Sequence, residues 1–182
     1  MTVNLHSMPH SLVKAFRGLP LPKSLTAFTG AFRAEYIGPA PLRVPAPLAM
    51  RLAGFGGWYG KIFRQRGGDS SVLAGMNLFG EGAQRSERYS MTARIAPSAI
   101  DKQPAFVVSY PKETRHPWCR ATDELRMIDD STLLGITFFD YPLAIADRAG
   151  APVPMSPPCR AAKAPQRPAA RAGRWAAVRP PG

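Results

Sequence analysis

The sequence predicts a mainly β protein, an antiparallel β-barrel or half-barrel with a helical N-terminal segment and a disordered C-terminal tail. Three observations carry this. Apolar and polar residues alternate through most of the stretch from residue 57 to 140. Turn signals separate these alternating runs, with no helical pattern between them. After Gly150 the composition collapses to Ala, Pro and Arg, with few large apolar side chains. The expected organisation is a flexible lead-in over 1–21, a barrel-like domain over 22–150 and a basic tail over 151–182.

In chain order, residues 1–21 predict a loosely ordered lead-in with about one helical turn, because Pro9 interrupts it. In "PKSLTAFTGAFRAEYIGP", Leu25, Phe28, Phe32 and Tyr36 recur at near-helical spacing and Ser24 is placed to cap. Gly30 divides that run, so the reading is a helix followed by a short strand. "GPAPLRVPAP" reads as an irregular connector, since prolines at such density do not suit helix or sheet interiors. Strands are then expected at 57–64 and 71–79. "RSERYSMTARIA" places Tyr89, Met91, Ala93 and Ile95 on one face and Arg88, Ser90, Thr92 and Arg94 on the other. "AFVVSY" pairs with it across "SAIDKQP". "CRATDELRMI" and "TLLGITFF" form a second hairpin around Asp129-Asp130. Six close-spaced strands of this kind make a meander that curls into a barrel.

The 182 residues suffice for one domain with a real core. The formal net charge is +12, and the tail contributes Arg160, Lys163, Arg167, Arg171, Arg174 and Arg179 with no acid. Two cysteines, Cys119 and Cys159, do not suggest a disulfide framework. "MTVNLHSMPHSLVKAF" lacks the continuous apolar run of a signal peptide, and no run approaches the roughly 18 apolar residues of a spanning helix. A cytoplasmic protein is expected.

"GFGGWYGKIF", residues 54–63, is the most distinctive stretch. Gly54, Gly56, Gly57 and Gly60 do not give the G-x-G-x-x-G spacing of a dinucleotide site. Gly60-Lys61-Ile62 lacks the hydroxyl of a P-loop. Instead, Gly56-Gly57-Trp58-Tyr59-Gly60 followed by Lys61-Ile62-Phe63 resembles the G-x-W-x-G pattern of the GXWXG-motif proteins, mostly bacterial chains of unassigned function. "DELRMIDDSTLLGITFFD" is similar to their closing hairpin, and "FTGAFRAEYIGP" to the segment preceding their motif. The resemblance covers about residues 25–140 and implies a calycin- or lipocalin-like barrel. The family pattern continues into a last apolar strand where this chain enters its Ala/Pro/Arg tail. That difference implies an open sheet edge to be paired by another segment, or by a second copy in a homo-oligomer.

Residue types that carry chemistry are sparse. His6 and His10 lie in the lead-in without a following Glu, and His116 near Cys119 lacks the surroundings of a catalytic cysteine. Asp123 and Glu124 are adjacent on a strand and so point to opposite faces. No catalytic group, metal site or cofactor is assigned. The expected function is binding of a small, largely apolar, lipid-like ligand, anionic if an arginine lines the interior. Trp58, Tyr59 and Phe63 form the expected floor. Tyr89, Met91, Phe106, Val108, Tyr110 and Phe138 supply walls, and Arg88, Arg94 or Arg126 the polar anchor. The alternation allows a second solution, with Tyr89, Met91 and Ile95 inward, the arginines solvated and the ligand neutral. Two rivals stand beside it: an isomerase or hydrolase acting on a lipid-like substrate in the same cavity, and a nucleic-acid-binding accessory protein acting through the basic tail with Trp175.

Overall fold

The computed structural model describes residues 3–67, 69–80 and 85–140, together with the backbone of 159–163. Alternation becomes sheet where the sequence places it. The strands are β1 (Gly30–Tyr36), β2 (Trp58–Arg66), β3 (Asp69–Phe79), β4 (Ser86–Pro97), β5 (Pro104–Ser109), β6 (Ala121–Met127), β7 (Thr132–Phe139) and β8 (Cys159–Lys163). Each is antiparallel to its neighbours, in sequence order, and β8 lies between β7 and β1, which closes the barrel. The helix-then-strand reading of residues 24–37 holds: a 3-10 turn, Leu25–Phe28, capped by Ser24, precedes β1. In β4, Met91 and Ala93 are buried while Thr92 and Arg94 are exposed.

Three expectations are corrected. The lead-in is not loose: Pro9 occupies the first turn of helix α1 (Pro9–Arg17), where the missing N–H costs no hydrogen bond. The proline-rich connector is also helical. Helices α2 (Ala40–Arg43) and α3 (Ala46–Met50) each start at a proline, and a π-helical turn, Arg51–Phe55, follows. Finally, residues 159–163, assigned to the tail, supply β8. It pairs Phe32 to Tyr36 of β1 with Lys163 to Cys159, and Thr132 to Gly135 of β7 with Ala162 to Cys159. Of the two ways expected to pair that edge, another segment or a second copy, the first is used: β8 of this chain occupies it. The rest of the expected tail lies outside the described residues.

Two apolar layers result. The barrel interior holds Phe28, Phe32, Phe63, Leu73, Met91, Phe106, Val108 and Leu125, with Met50, Phe55, Phe79 and Trp118 filling the end next to the glycine motif. Outside the barrel, α1 lays Leu12 and Phe16 over Ala105, Leu134, Ile136 and Phe138. Arg126, fully buried, ties this outer layer together. Its guanidinium donates to both Asp101 carboxylate oxygens (2.7 and 2.8 Å) and to the carbonyls of Phe16 (3.1 Å), Gln103 (3.3 Å) and Pro104 (3.2 Å). Every N–H of the group is thereby used. Glu124, on the same outward face, accepts from the Ser98 hydroxyl and from the Ala99 N–H (2.7 Å).

Gly60 sets how closely β1 and β2 approach. A Cβ placed there would lie 2.1 Å from the Phe32 carbonyl oxygen, which is backbone and cannot swing away.

These contacts generate three expected outcomes. Ending the chain after Pro158 removes β8 and lowers Tm clearly, whereas ending it after Ala164 leaves Tm near that of the full chain; equal Tm values would remove β8 from the fold. Gly60→Ala forces β1 from β2 and costs about 2 kcal/mol or more in denaturant unfolding. The Asp101 carboxyl is held below its ordinary range by its hydrogen bonds to Arg126, against the cost of its partial burial. A depressed folded pKa means stability present above the unfolded value of about 3.9 and lost as pH falls through the folded one. Asp101→Asn should therefore flatten the acid limb of Tm against pH. It should also cost about 3 kcal/mol at neutral pH, because Arg126 keeps a buried charge without its partner.

Candidate functional site

The glycine stretch works as a turn that delivers three side chains, Phe55, Lys61 and Phe63, to the interior. Phe55 ends the helical run and inserts among aromatic rings, stacked on Tyr89 (5.0 Å, 7°) and close to Trp118 (3.8 Å). Gly57 has φ of 75° and its carbonyl accepts from Gly80 N–H at 2.9 Å, which fastens the turn to the end of β3. Trp58 then opens β2. A register shift between Trp58 and Gly60 follows, and Lys61 and Phe63 face inward.

Lys61 is the centre of a polar cluster inside an otherwise apolar barrel. Its ammonium lies 2.9 Å from Asp123 Oδ2 and donates to Tyr110 Oη (2.5 Å) and Asn77 Oδ1 (3.1 Å). Three donors thus meet three acceptors. Asp123 also accepts from Tyr110 (3.1 Å) and Thr137 (2.7 Å). The Trp58 indole N–H donates to the same Asn77 oxygen at 2.9 Å, while Asn77 Nδ2 reaches the Tyr89 carbonyl at 3.3 Å. That last contact satisfies a backbone group freed by the β3–β4 bulge, where Tyr89 has φ of 54°. The register explains the convergence: Lys61 pairs with Phe32 and Asn77, and Asp123 with Val108 and Thr137.

Burial alone would lower the Lys61 pKa, but the Asp123 charge, then Tyr110, more than offset it, and the net shift is upward. Burial, then the Asp123 charge, push the Tyr110 phenol up to about 12 against the pull of Lys61. At neutral pH the lysine is a fixed cation and the phenol a neutral donor. In these states neither is a base or a nucleophile. The Lys61 and Asp123 side chains keep 10% and 9% of their exposure, so a water-sized sphere still touches both.

The expected site residues fall into three groups. Phe63, Phe106 and Tyr110 are brought together inside, with Phe106 stacked on Phe28 (4.1 Å) and edge-on to Phe63 (5.0 Å). Trp58 is half-buried at the motif end, 5.6 Å from the Lys61 ammonium. The others lie elsewhere. Tyr59 carries the Arg85 guanidinium over its ring at 5.7 Å. Phe138 packs in the outer layer beneath α1. Arg88 is exposed and lies 4.9 Å from the Phe79 ring centre. Arg94 lines an outer groove of about 350 Å³ with Arg66, Thr92 and Ser109. Arg126 is the outer clamp described above. No arginine of the expected set reaches the interior: β4 turns Met91 and Ala93 inward and Arg94 outward, Arg88 is exposed beyond the bulge at Tyr89, and Arg126 lies on the outer face of β6.

Sequence reasoning missed Lys61, Asn77, Asp123 and Thr137 as site residues. Parity was the available signal: Lys61 shares a strand face with Phe63, and Asp123 with Leu125, so each puts a charge at a core position. Among the described residues no three His, Cys, Asp or Glu side chains group to hold a metal. His6, His10 and His116 are all exposed, and Cys119 is a free thiol. No described helix is long and apolar enough to cross a membrane.

No family model matches the chain, and no curated protein matches it either. Among solved structures, the crystal structure of a protein from Thermomonospora curvata is similar over 88% of this chain and 90% of that one, with a TM-score of 0.55 at 16% sequence identity. At that identity the likeness speaks for the fold: the chain shares its mainly β, antiparallel architecture with that protein.

Proposed function

We propose that the chain binds a small, largely apolar, neutral molecule inside its barrel and grips one oxygen of it at Lys61, Tyr110 and Asp123. One observation carries the reading: a charged lysine and its carboxylate sit in reach of a water-sized probe within a wall of aromatic side chains. Small-molecule sites have this composition, apolar walls with a few fixed polar groups. The charge balance selects the ligand. Asp123 already neutralises Lys61, so an anionic head would meet a carboxylate beside its cation, whereas a neutral carbonyl can accept from Lys61 in place of Asn77, or from Tyr110 in place of Asp123, and a hydroxyl can in addition donate to Asp123. This favours the neutral ligand over the fatty-acid-like one. The glycines of Gly56-Gly57-Trp58-Tyr59-Gly60 place Trp58 and Lys61 at this cluster. An isomerase or hydrolase acting at the same cluster would need a free base, whereas Lys61 is held protonated, Tyr110 is held neutral, and the Asp123 carboxylate is already engaged by Lys61, Tyr110 and Thr137.

The test is titration with Nile red, a neutral fluorescent probe bearing a carbonyl, against the anionic probe anilinonaphthalene sulfonate. The full chain is expected to bind Nile red saturably, at one site, with weak dependence on salt. Tyr110→Phe keeps the fold and weakens binding about three- to tenfold, the effect of one hydrogen bond. Lys61→Met with Asp123→Leu exchanges the buried pair for apolar side chains of similar volume, which often preserves folding, and it removes the preference for the carbonyl probe. Preferential binding of the anionic probe, or unchanged Nile red affinity in both variants, overturns the reading.

A further inference from the structure

The segment that closes the motif end of the barrel is apolar on both of its sides. From Ala40 to Ala53 the backbone is almost continuously helical, since Val44 (φ −64°, ψ −45°), Pro45 (φ −77°, ψ −10°) and Arg51 (φ −60°, ψ −46°) join α2, α3 and the π-helical turn, which Gly54 (φ 84°, ψ 12°) then breaks. Ala46, Met50 and Phe55 are buried, and Met50 and Phe55 belong to the barrel core. The opposite side carries Val44, Leu48 and Leu52, spaced four residues apart and so stacked in one stripe. They are 73%, 60% and 79% exposed, with Leu42 beside them at 44%. Single exposed apolar residues are ordinary, but four within eleven positions of one helical segment form a patch.

The charges around the patch have one sign. No acid occurs between Tyr36 and Gly68, while Arg43 and Arg51 lie within the segment. Arg115 joins them from the loop between β5 and β6: its guanidinium lies over Gly54, 3.2 Å from where a Cβ would stand. The aliphatic stem of Arg51, an exposed residue, passes Gly56, with its Cγ 3.2 Å from where a Cβ would stand. In the Arg115 loop, Glu113 is offset by Lys112.

We propose that this stripe docks the barrel, motif end first, onto an anionic lipid surface, with Val44, Leu48 and Leu52 entering the interface and Arg43, Arg51 and Arg115 meeting the headgroups. An apolar stripe flanked by arginines is the composition of an interfacial membrane-binding segment. A second copy fits less well. Two-fold pairing through the stripe would set Arg43 and Arg51 against their own counterparts, with no carboxylate in the segment to separate them. The inference stands on the surface alone and is independent of what the interior binds.

Sedimentation of the full chain with large vesicles tests it. Phosphatidylcholine vesicles with about a third phosphatidylglycerol are expected to bind the chain, and pure phosphatidylcholine vesicles to bind it at least several-fold less. Replacing Val44, Leu48 and Leu52 together with serine leaves Tm unchanged, because these side chains are exposed, and lowers binding about tenfold or more. Arg51→Glu lowers it several-fold, and more so at low salt. The C-terminal arginines are identical in every variant, so binding carried by them alone would survive the serine substitutions and overturn the proposal. It is also overturned if the unaltered chain ignores anionic vesicles, or if it forms a lipid-free dimer that the serine variant abolishes.

Discussion

The ion pair between Lys61 and Asp123 constrains the rest of the barrel. Two charges inside an apolar interior are tolerated only when each is paired and its remaining hydrogen-bonding capacity is used. Here that demand recruits Tyr110, Asn77, Thr137 and, through Asn77, the Trp58 indole. These side chains come from four strands and the residue after β5, so the cluster fixes the register of β2, β3, β6 and β7 relative to one another. Apolar pairs would fill the same space with less dependence on register. A one-residue slip of β6 would exchange Asp123 for Glu124 or Thr122 and leave Lys61 buried without its carboxylate, a cost of several kcal/mol.

The glycine motif is the local device that makes the pair buildable. The positive φ at Gly57 turns the chain out of the helical segment, and the absent side chain at Gly60 lets β1 close on β2. Lys61 then falls on the same side as Phe63, between Phe32 and Asn77. The polar centre therefore sits between two aromatic groups: Phe28, Phe63 and Phe106 towards the Leu25–Phe28 turn, and Phe55, Phe79, Tyr89 and Trp118 towards the motif. On the outside, Arg126 and Asp101 repeat the logic. A buried cation with every N–H satisfied holds α1 and the β4–β5 loop against the sheet.

Much of the architecture was legible in the sequence because period-two alternation is a direct image of a sheet with one wet and one dry face. β4 buries Met91 and Ala93 and exposes Thr92 and Arg94 as its pattern requires, whereas β7, Thr132–Phe139, is legible as the near-continuous apolar run "TLLGITFF" of a strand buried on both faces. What was not legible has physical causes. Pro9, Pro39 and Pro45 read as breakers, yet at or before the first turn of a helix a proline loses nothing. β8 carries no apolar alternation, because its place is secured by backbone pairing on both sides. The site was less legible because the alternating arginines are the conspicuous charges of the strands, whereas the buried charges of the interior are a lysine near a motif tryptophan and an aspartate beside an outward glutamate. Strand parity, applied to the charges as strictly as to the apolar residues, separates Asp123 from Glu124 and selects Lys61.

The most direct measurement of this account is the side-chain nitrogen resonance of Lys61, assigned by its loss in Lys61→Met. A protonated ammonium held by three acceptors predicts a charged-amine signal with slowly exchanging protons at neutral and mildly alkaline pH. It also predicts contacts to the Trp58 and Tyr110 rings, and a shift on saturation with a neutral carbonyl-bearing probe. A rapidly exchanging or uncharged amine, indifferent to that probe, would contradict both the interior ion pair and the ligand grip assigned to it.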